Sequence, residues 1–235
     1  VNDRHLSTQY DVELSGVCAR VLEMGGLVET QVAAAVRALV RLDQDLASEV
    51  LAAERRVNEM ELEVDRELSS IIVRRQPAAR DLRLLLAISR IGANLERAGD
   101  EAARMARIVT RQLAPRSSAP ALPAPVDLGF EAGLATAQLR KALDAFARMA
   151  PQAALDVLTQ DDRIDAEFEG LLRRLITYMM EDPRAISGSI DLVFAAKSIE
   201  RIGDHAKNIA EGVIYIVEGT DVRHRPIAAP DPRTR

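Results

Sequence analysis

The 235-residue chain predicts an all-α fold: a tandem repeat of two three-helix bundles, six long helices in all. Three observations predict it. A Glu-Arg-x-Gly-Asp segment occurs twice, at Glu96–Asp100 and at Glu200–Asp204, 104 positions apart. Around each copy runs a seam of small or apolar residues spaced alternately four and three. One reads Ile88, Gly92, Leu95, Gly99, Ala102, Ala106, Val109; the other reads Leu192, Ala196, Ile199, Gly203, Ala206, Ala210, Val213, with every pair at the same offset. That alternation marks helices packed side by side. Lastly, no stretch alternates with period two as a half-buried strand would.

Composition agrees. Hydrophobic residues make up 48% of the chain, aromatics only 3%, and Trp is absent. The core must therefore come from Leu, Ile, Val, Met and Ala, which with abundant Glu and Arg favour helix. The formal net charge of −5 and a sequence pI near 5.4 argue against general nucleic-acid binding. The single Cys18 excludes an intrachain disulfide and reads as an inert packed residue. A lone thiol suits a reducing compartment. The N-terminal segment is polar, and no apolar run approaches the ~20 residues that span a bilayer. The expectation is a soluble cytoplasmic protein with no membrane insertion.

In chain order, residues 1–10 read as a loose lead-in. The first helix is expected from about Asp11 to Leu42, through Leu14, Val17, Val21, Met24, Val28, Val32, Ala35, Leu39 and Leu42, with a bend at Gly25-Gly26. Asp43-Gln44-Asp45 supplies capping and a turn. The second helix, about Leu46 to Arg75, runs through Val50, Val57, Met60, Val64, Leu68, Ile71 and Ile72, and Pro77 ends it. The third spans about Ala79 to Ala114. A Pro-rich linker over 115–126 follows. The fourth helix covers about Asp127 to Met149. The fifth starts at Pro151, which suits a first helical turn, and runs to about Met180. The sixth spans about Arg184 to Glu218, with Gly219 just past its end. The repeat extends to the second and fifth helices at an offset of 107, where Arg41, Ala47, Val50, Leu51 and Arg56 match Arg148, Ala154, Val157, Leu158 and Arg163. The expected division is 1–114 for one bundle, 115–126 for the linker, 127–220 for the second bundle and 221–235 for a disordered tail.

Glycine inside a helix costs roughly 1 kcal/mol relative to Ala. Gly99 and Gly203 therefore need a reason, and close approach of a neighbouring helix is the simplest. Glu96 with Asp100, Glu200 with Asp204, and Asp161 with Asp165 are each four apart, so each pair shares one helical face. Glu54 and Asn58 occupy the equivalent first-half positions. Converging carboxylates without His or Cys suit hard cations such as iron, magnesium or manganese, and do not suit structural zinc. The same residues could equally form interhelical ion pairs on a solvated face, and the spacing leaves both readings open. Glu211 extends the acidic stripe. His205 points to a different face from Asp204. Arg97 and Arg201 could pair with carboxylates or reach an anion, with pairing preferred. No Ser-His-Asp or Cys-His constellation and no Gly-rich phosphate loop is present, so no enzyme is expected.

Roughly residues 10–218 resemble the PhoU family of phosphate-transport accessory and regulatory proteins. The resemblance rests on Glu200-Arg201-Ile202-Gly203-Asp204 with Ala206-x-Asn208-Ile209-Ala210-Glu211 after it. The first copy departs at Ala98, where Ile is usual. Met24-Gly25-Gly26-Leu27-Val28-Glu29 and Gln76-Pro77 also look like the family. The resemblance implies a cytoplasmic, homodimeric, non-catalytic adaptor between the phosphate importer ATPase and a sensor histidine kinase, damping the starvation response. It also implies metal ligation by Glu96, Asp100, Asp161, Asp165, Glu200 and Asp204. Asn58 is a weaker, neutral ligand, so metal is expected to prefer the second half. The alternative is a carboxylate-bridged metal protein with oxidase or storage activity. Such bundles usually carry Glu-x-x-His, and no Glu here has His three residues on.

Overall fold

The computed structural model describes residues 8–113, 128–159 and 162–223, the side chains at 162, 163 and 165 excepted. Every regular element among them is helical: α1 (Thr8–Arg41), α2 (Gln44–Arg75), α3 (Ala79–Gln112), α4 (Gly129–Arg148), α5 (Pro151–Leu158), α6 (Asp162–Glu181) and α7 (Ile186–Glu218), with a short 3-10 turn at Pro183–Ala185. The all-α fold is as expected. The expected fifth helix is instead two described helices, α5 and α6. Thr159 stands in a turn after α5, with its hydroxyl donating to the Asp156 carbonyl at 3.0 Å. Residues 8–10 of the expected lead-in over 1–10 already belong to α1; the rest of that lead-in, the linker over 115–126 and residues 224–235 of the expected tail over 221–235 lie outside the described residues.

The repeat is visible in the turns as well as the helices. Leu42 at the end of α1 and Met149 at the end of α4, 107 apart, both adopt left-handed backbone (φ 51° and 47°). In each case the next N–H reaches back five residues: Asp43 to the Ala38 carbonyl and Ala150 to the Ala145 carbonyl, both at 2.9 Å. This six-to-one closure satisfies carbonyls that a helix end leaves unpaired. Leu42 therefore lies past the helix and is exposed, although the apolar pattern had included it. The first copy then starts α2 with the Asp43 carboxylate accepting from Asp45 and Leu46 N–H at 3.0 Å. The second copy starts α5 with Pro151, whose missing N–H needs no cap.

All fourteen seam residues on α3 and α7 are buried. Helices α1, α2 and α3 pack on one another, and α7 packs on α4, α5 and α6. Helix α3 also packs along α7 and α1 along α4, so the buried residues of both halves form one continuous core. The α3–α7 pairing is antiparallel: Arg111 meets Asp191, Glu101 meets Ser198, Asn94 meets His205 and Gly219 meets Arg83. Two copies of one helix, packed antiparallel, carry an approximate local twofold.

Gly25-Gly26 does not interrupt α1, which is continuous through it. Gly25 has another role. A Cβ there would sit 2.5 Å from Leu143 Cδ2, so the missing side chain seats α4 against α1. Among the described residues no helix is long and apolar enough to cross a membrane.

Candidate functional site

Both Glu-Arg-x-Gly-Asp segments lie in mid-helix, where their glycines admit a neighbour. A Cβ on Gly99 would lie 3.0 Å from Gln31 Oε1, and one on Gly203 would lie 3.1 Å from Gln138 Oε1 and 2.9 Å from Ile164 Cδ1. Close helix approach is thus the reason for both. The glutamines are themselves equivalent, 107 apart. Gln31 Nε2 donates to the Val50 and Gly99 carbonyls at 3.3 Å, and Gln138 Nε2 donates to the Val157 carbonyl at 3.3 Å. Gln31 thus ties α1 to both α2 and α3, and Gln138 ties α4 to α5.

Outside the seam the carboxylates form a face in each half. In the first half Glu54, Glu61 and Asp65 on α2 face Glu96 and Asp100 on α3. Burial, then the nearby Asp100 and Glu61, push the Glu96 carboxyl above its ordinary value, with Arg97 pulling the other way. Burial and then Asp65 raise Glu61 as well. Asn58 Oδ1, one turn from both Glu54 and Glu61, is buried without a hydrogen-bond partner. Glu54 itself lies 2.5 Å from Arg107 Nη2. In the second half Glu200 is neutralised by Lys197 Nζ at 2.7 Å, and Asp204 is half-buried beside the seam. Asp161 and the Asp165 side chain lie outside the described residues. Among the described residues, no group of three or more His, Cys, Asp or Glu side chains is placed so that it could hold a metal ion.

Two grooves flank the α3–α7 seam, and the local twofold relates them. One, of about 390 Å³, is lined by Glu101, Arg104, Arg107, Ile108, Arg111, Phe194, Lys197, Ser198 and Arg201. The other, of about 310 Å³, holds Arg90, Ala93, Asn94, Arg97, Asn208, Glu211, Gly212 and Tyr215. Shifting the first set by 104 gives eight of the eleven residues that line the second, and puts His205 in the place of Glu101; Ala87, Asp221 and Arg223 line the second groove alone. Even the hydrogen bonds correspond. Ser198 Oγ donates to Glu101 Oε2 at 2.9 Å, while Asn94 Oδ1 lies 3.1 Å from His205 Nδ1. Burial lowers the His205 pKa, so the ring is held neutral on this contact with Asn94. Arg201 does pair with a carboxylate, Glu101, at 3.2 Å.

The comparisons with known proteins come down on one family. A model described as the PhoU domain matches the chain twice, over residues 21–109 and 131–213. The chain belongs to the PhoU family. A Burkholderia relative described as a phosphate-specific transport system accessory protein PhoU homolog is 49% identical over 222 residues, covering 94% of both chains. The Escherichia coli (strain K12) accessory protein PhoU is 41% identical over 224 residues, covering 94% of this chain and 90% of that one. The crystal structure of PhoU from Pseudomonas aeruginosa superposes with a TM-score of 0.83 at 46% identity, covering 90% of this chain and all of the other.

In this PhoU-family chain the grooves were missed by sequence reasoning, although a trace existed. Arg104, Arg107 and Arg111 follow the three-then-four spacing of a helical stripe. Their convergence with Lys197 and Arg201 depends on the antiparallel register of α3 and α7, which the repeat alone does not state. Cys18 stays inert: burial pushes its thiol up to about 11, so the reactive thiolate is scarce at neutral pH.

Proposed function

We propose that this chain is an accessory regulator of phosphate transport: a cytoplasmic, non-catalytic adaptor between the phosphate importer ATPase and a sensor histidine kinase. Alignment over 94% of both chains with a protein described as a phosphate-specific transport system accessory protein supports the accessory role, and the adaptor role extends it from the family resemblance. An adaptor without chemistry works by differential binding, favouring one state of a partner. A preference of about 1.4 kcal/mol shifts that state tenfold. Paired exposed apolar side chains support such surfaces. Leu86 and Ile190 are 104 apart, Val73 and Met180 are 107 apart, and all four are exposed. The repeat thus presents the same apolar contact twice, in keeping with a dimeric protein or with two partners. The acidic stripe of Glu200, Asp204 and Glu211 is the surface to test first. Deletion should leave starvation genes active in phosphate-rich medium, and the wild-type chain should restore repression. A folded E200Q/D204N/E211Q variant should restore less. Full rescue by that variant moves the partner surface to another face.

Metal binding is a second component of the proposal, favoured by the first-half face. There Glu61 and Glu96 oppose one another in a half-buried setting, and the Asn58 oxygen lacks a partner. A hard cation held by Glu61, Glu96, Asp100 and Asn58 would require these side chains to turn toward one another from their present placement. It would supply positive charge, and no redox step is assigned to it. The second-half set of Asp161, Asp165, Glu200 and Asp204 already carries Lys197 as a counter-charge on Glu200. Elemental analysis should show E96Q/D100N losing more metal than E200Q/D204N. The reverse order places the cation in the second half.

A further inference from the structure

We propose that the larger α3–α7 groove binds a nucleoside polyphosphate, its phosphates held by Arg104, Arg107, Arg111, Lys197 and Arg201 and its base lying against Phe194. The adaptor reading is not needed for this.

The groove is layered by charge. Each of its five cations pairs with a carboxylate beneath it: Arg104 and Arg201 with Glu101, Arg107 with Glu54, Arg111 with Asp191, and Lys197 with Glu200. The carboxylates are 6–15% exposed, whereas the cations are 43–59% exposed. The acids therefore hold the inner edge of each cationic head and leave its outer donors facing the groove. A guanidinium has five N–H donors in a fixed fork, so one carboxylate does not exhaust it. Glu101 is buried and shared between two arginines and Ser198, which fixes the groove's centre. Five cations stand over four carboxylates in a chain of net charge −5. A half-exposed layer of oriented guanidinium groups is suited to phosphate oxygens.

The twofold mate serves as an internal control. Equivalent positions in the smaller groove hold Asn208 for Arg104, Glu211 for Arg107, Tyr215 for Arg111 and Ala93 for Lys197. The smaller groove keeps Arg97 for Arg201 and also holds Arg90, Arg223 and Asp221, so the duplicated geometry carries five cations on one side and three arginines with two carboxylates, Glu211 and Asp221, on the other. Helix packing alone would not require that difference, because the seam residues are matched in both halves. The second feature is Phe194, 62% exposed at the rim, where the mate has Arg90. An exposed aromatic ring next to phosphate-binding cations offers a stacking platform for a base. A volume of about 390 Å³ lies within the range of small-molecule sites and far exceeds one orthophosphate.

The test is calorimetric titration of the full chain with ATP, tripolyphosphate and adenosine at physiological ionic strength. ATP is expected to bind at micromolar concentration, at least tenfold more tightly than tripolyphosphate, with adenosine weaker still. R104Q/R111Q is expected to weaken ATP tenfold or more. That pair is chosen because Glu101 keeps Arg201 and Ser198, and Asp191 keeps Gln112 at 2.7 Å, so the fold survives. Thermal unfolding checks this. F194A should weaken ATP several-fold and leave tripolyphosphate unchanged, and N208A in the mate groove should change neither. No saturable ATP binding up to millimolar concentration overturns the proposal. So does binding unaffected by R104Q/R111Q, or tripolyphosphate binding equal to ATP. Displacement of ATP by an acidic peptide at lower concentration than by tripolyphosphate also overturns it, and marks the groove as a protein-docking surface.

Discussion

Two kinds of residue govern local behaviour, and each makes a measurable claim. Glu96 is raised above an ordinary carboxyl by burial and by Asp100 and Glu61. An acid whose folded pKa is raised binds protons more readily in the native state than in the unfolded one. Stability then falls as pH rises from the ordinary Glu value through the raised folded value. Above that value the penalty is complete. In chelator-treated protein E96Q should melt higher than wild type at pH 7, and the gain should vanish once pH drops below the ordinary Glu value. A gain that persists in acid would mean that packing, not charge, is responsible. The glycines separate in the same way. A Cβ on Gly92 would meet nothing within 4 Å, so G92A should gain about 0.5–1 kcal/mol of helix propensity. At Gly203 the same gain is opposed by contacts at 2.9 and 3.1 Å. Overpacking costs about 1–3 kcal/mol, and G203A should be less stable than wild type. Chemical denaturation of the two variants reads the sign directly.

Between elements, α1 and α4 meet where Gly25 receives Leu143. This contact joins the halves far from the α3–α7 seam in sequence. L143A alone should cost about 2–5 kcal/mol through the cavity it leaves. G25A alone should be destabilising, because Leu143 Cγ as well as both its methyl carbons would lie within 3.3 Å of the new Cβ. The double variant should be more stable than the sum of the two losses by more than about 0.5 kcal/mol. Strict additivity in that cycle would show that α4 does not sit on Gly25 in solution. The same α1 position was read from sequence as a bend. Glycine pairs do permit bends, but only the facing helix reveals that this one admits a leucine.

For the whole molecule, one core runs through both halves, so the repeat units should not unfold separately. Calorimetry should give a single transition whose calorimetric and van't Hoff enthalpies agree. Two resolved transitions would mean that the α1–α4 and α3–α7 contacts are weaker than the packing within each unit. The shared core also sets where ligands and partners can act. Both grooves lie on the seam between halves, so occupancy of either one reports on the pairing of α3 with α7.

Helical class, the duplication, the seam and the small size of Gly99 and Gly203 follow from the chain itself, because periodicity and side-chain volume are local properties. Ile88 to Val109 and Leu192 to Val213 are buried at every expected position. The turn after α5 was not read from the sequence because no proline or glycine marks it, although the apolar pattern lapses between Leu158 and Ile164 over five polar residues. The grooves were decided by tertiary structure. Arg111 and Asp191, eighty positions apart, meet only because α3 and α7 run antiparallel in one register. A repeat says that two helices are alike. Which faces they turn to one another depends on how the whole set of apolar seams is buried at once, and that is a property of the folded assembly of helices.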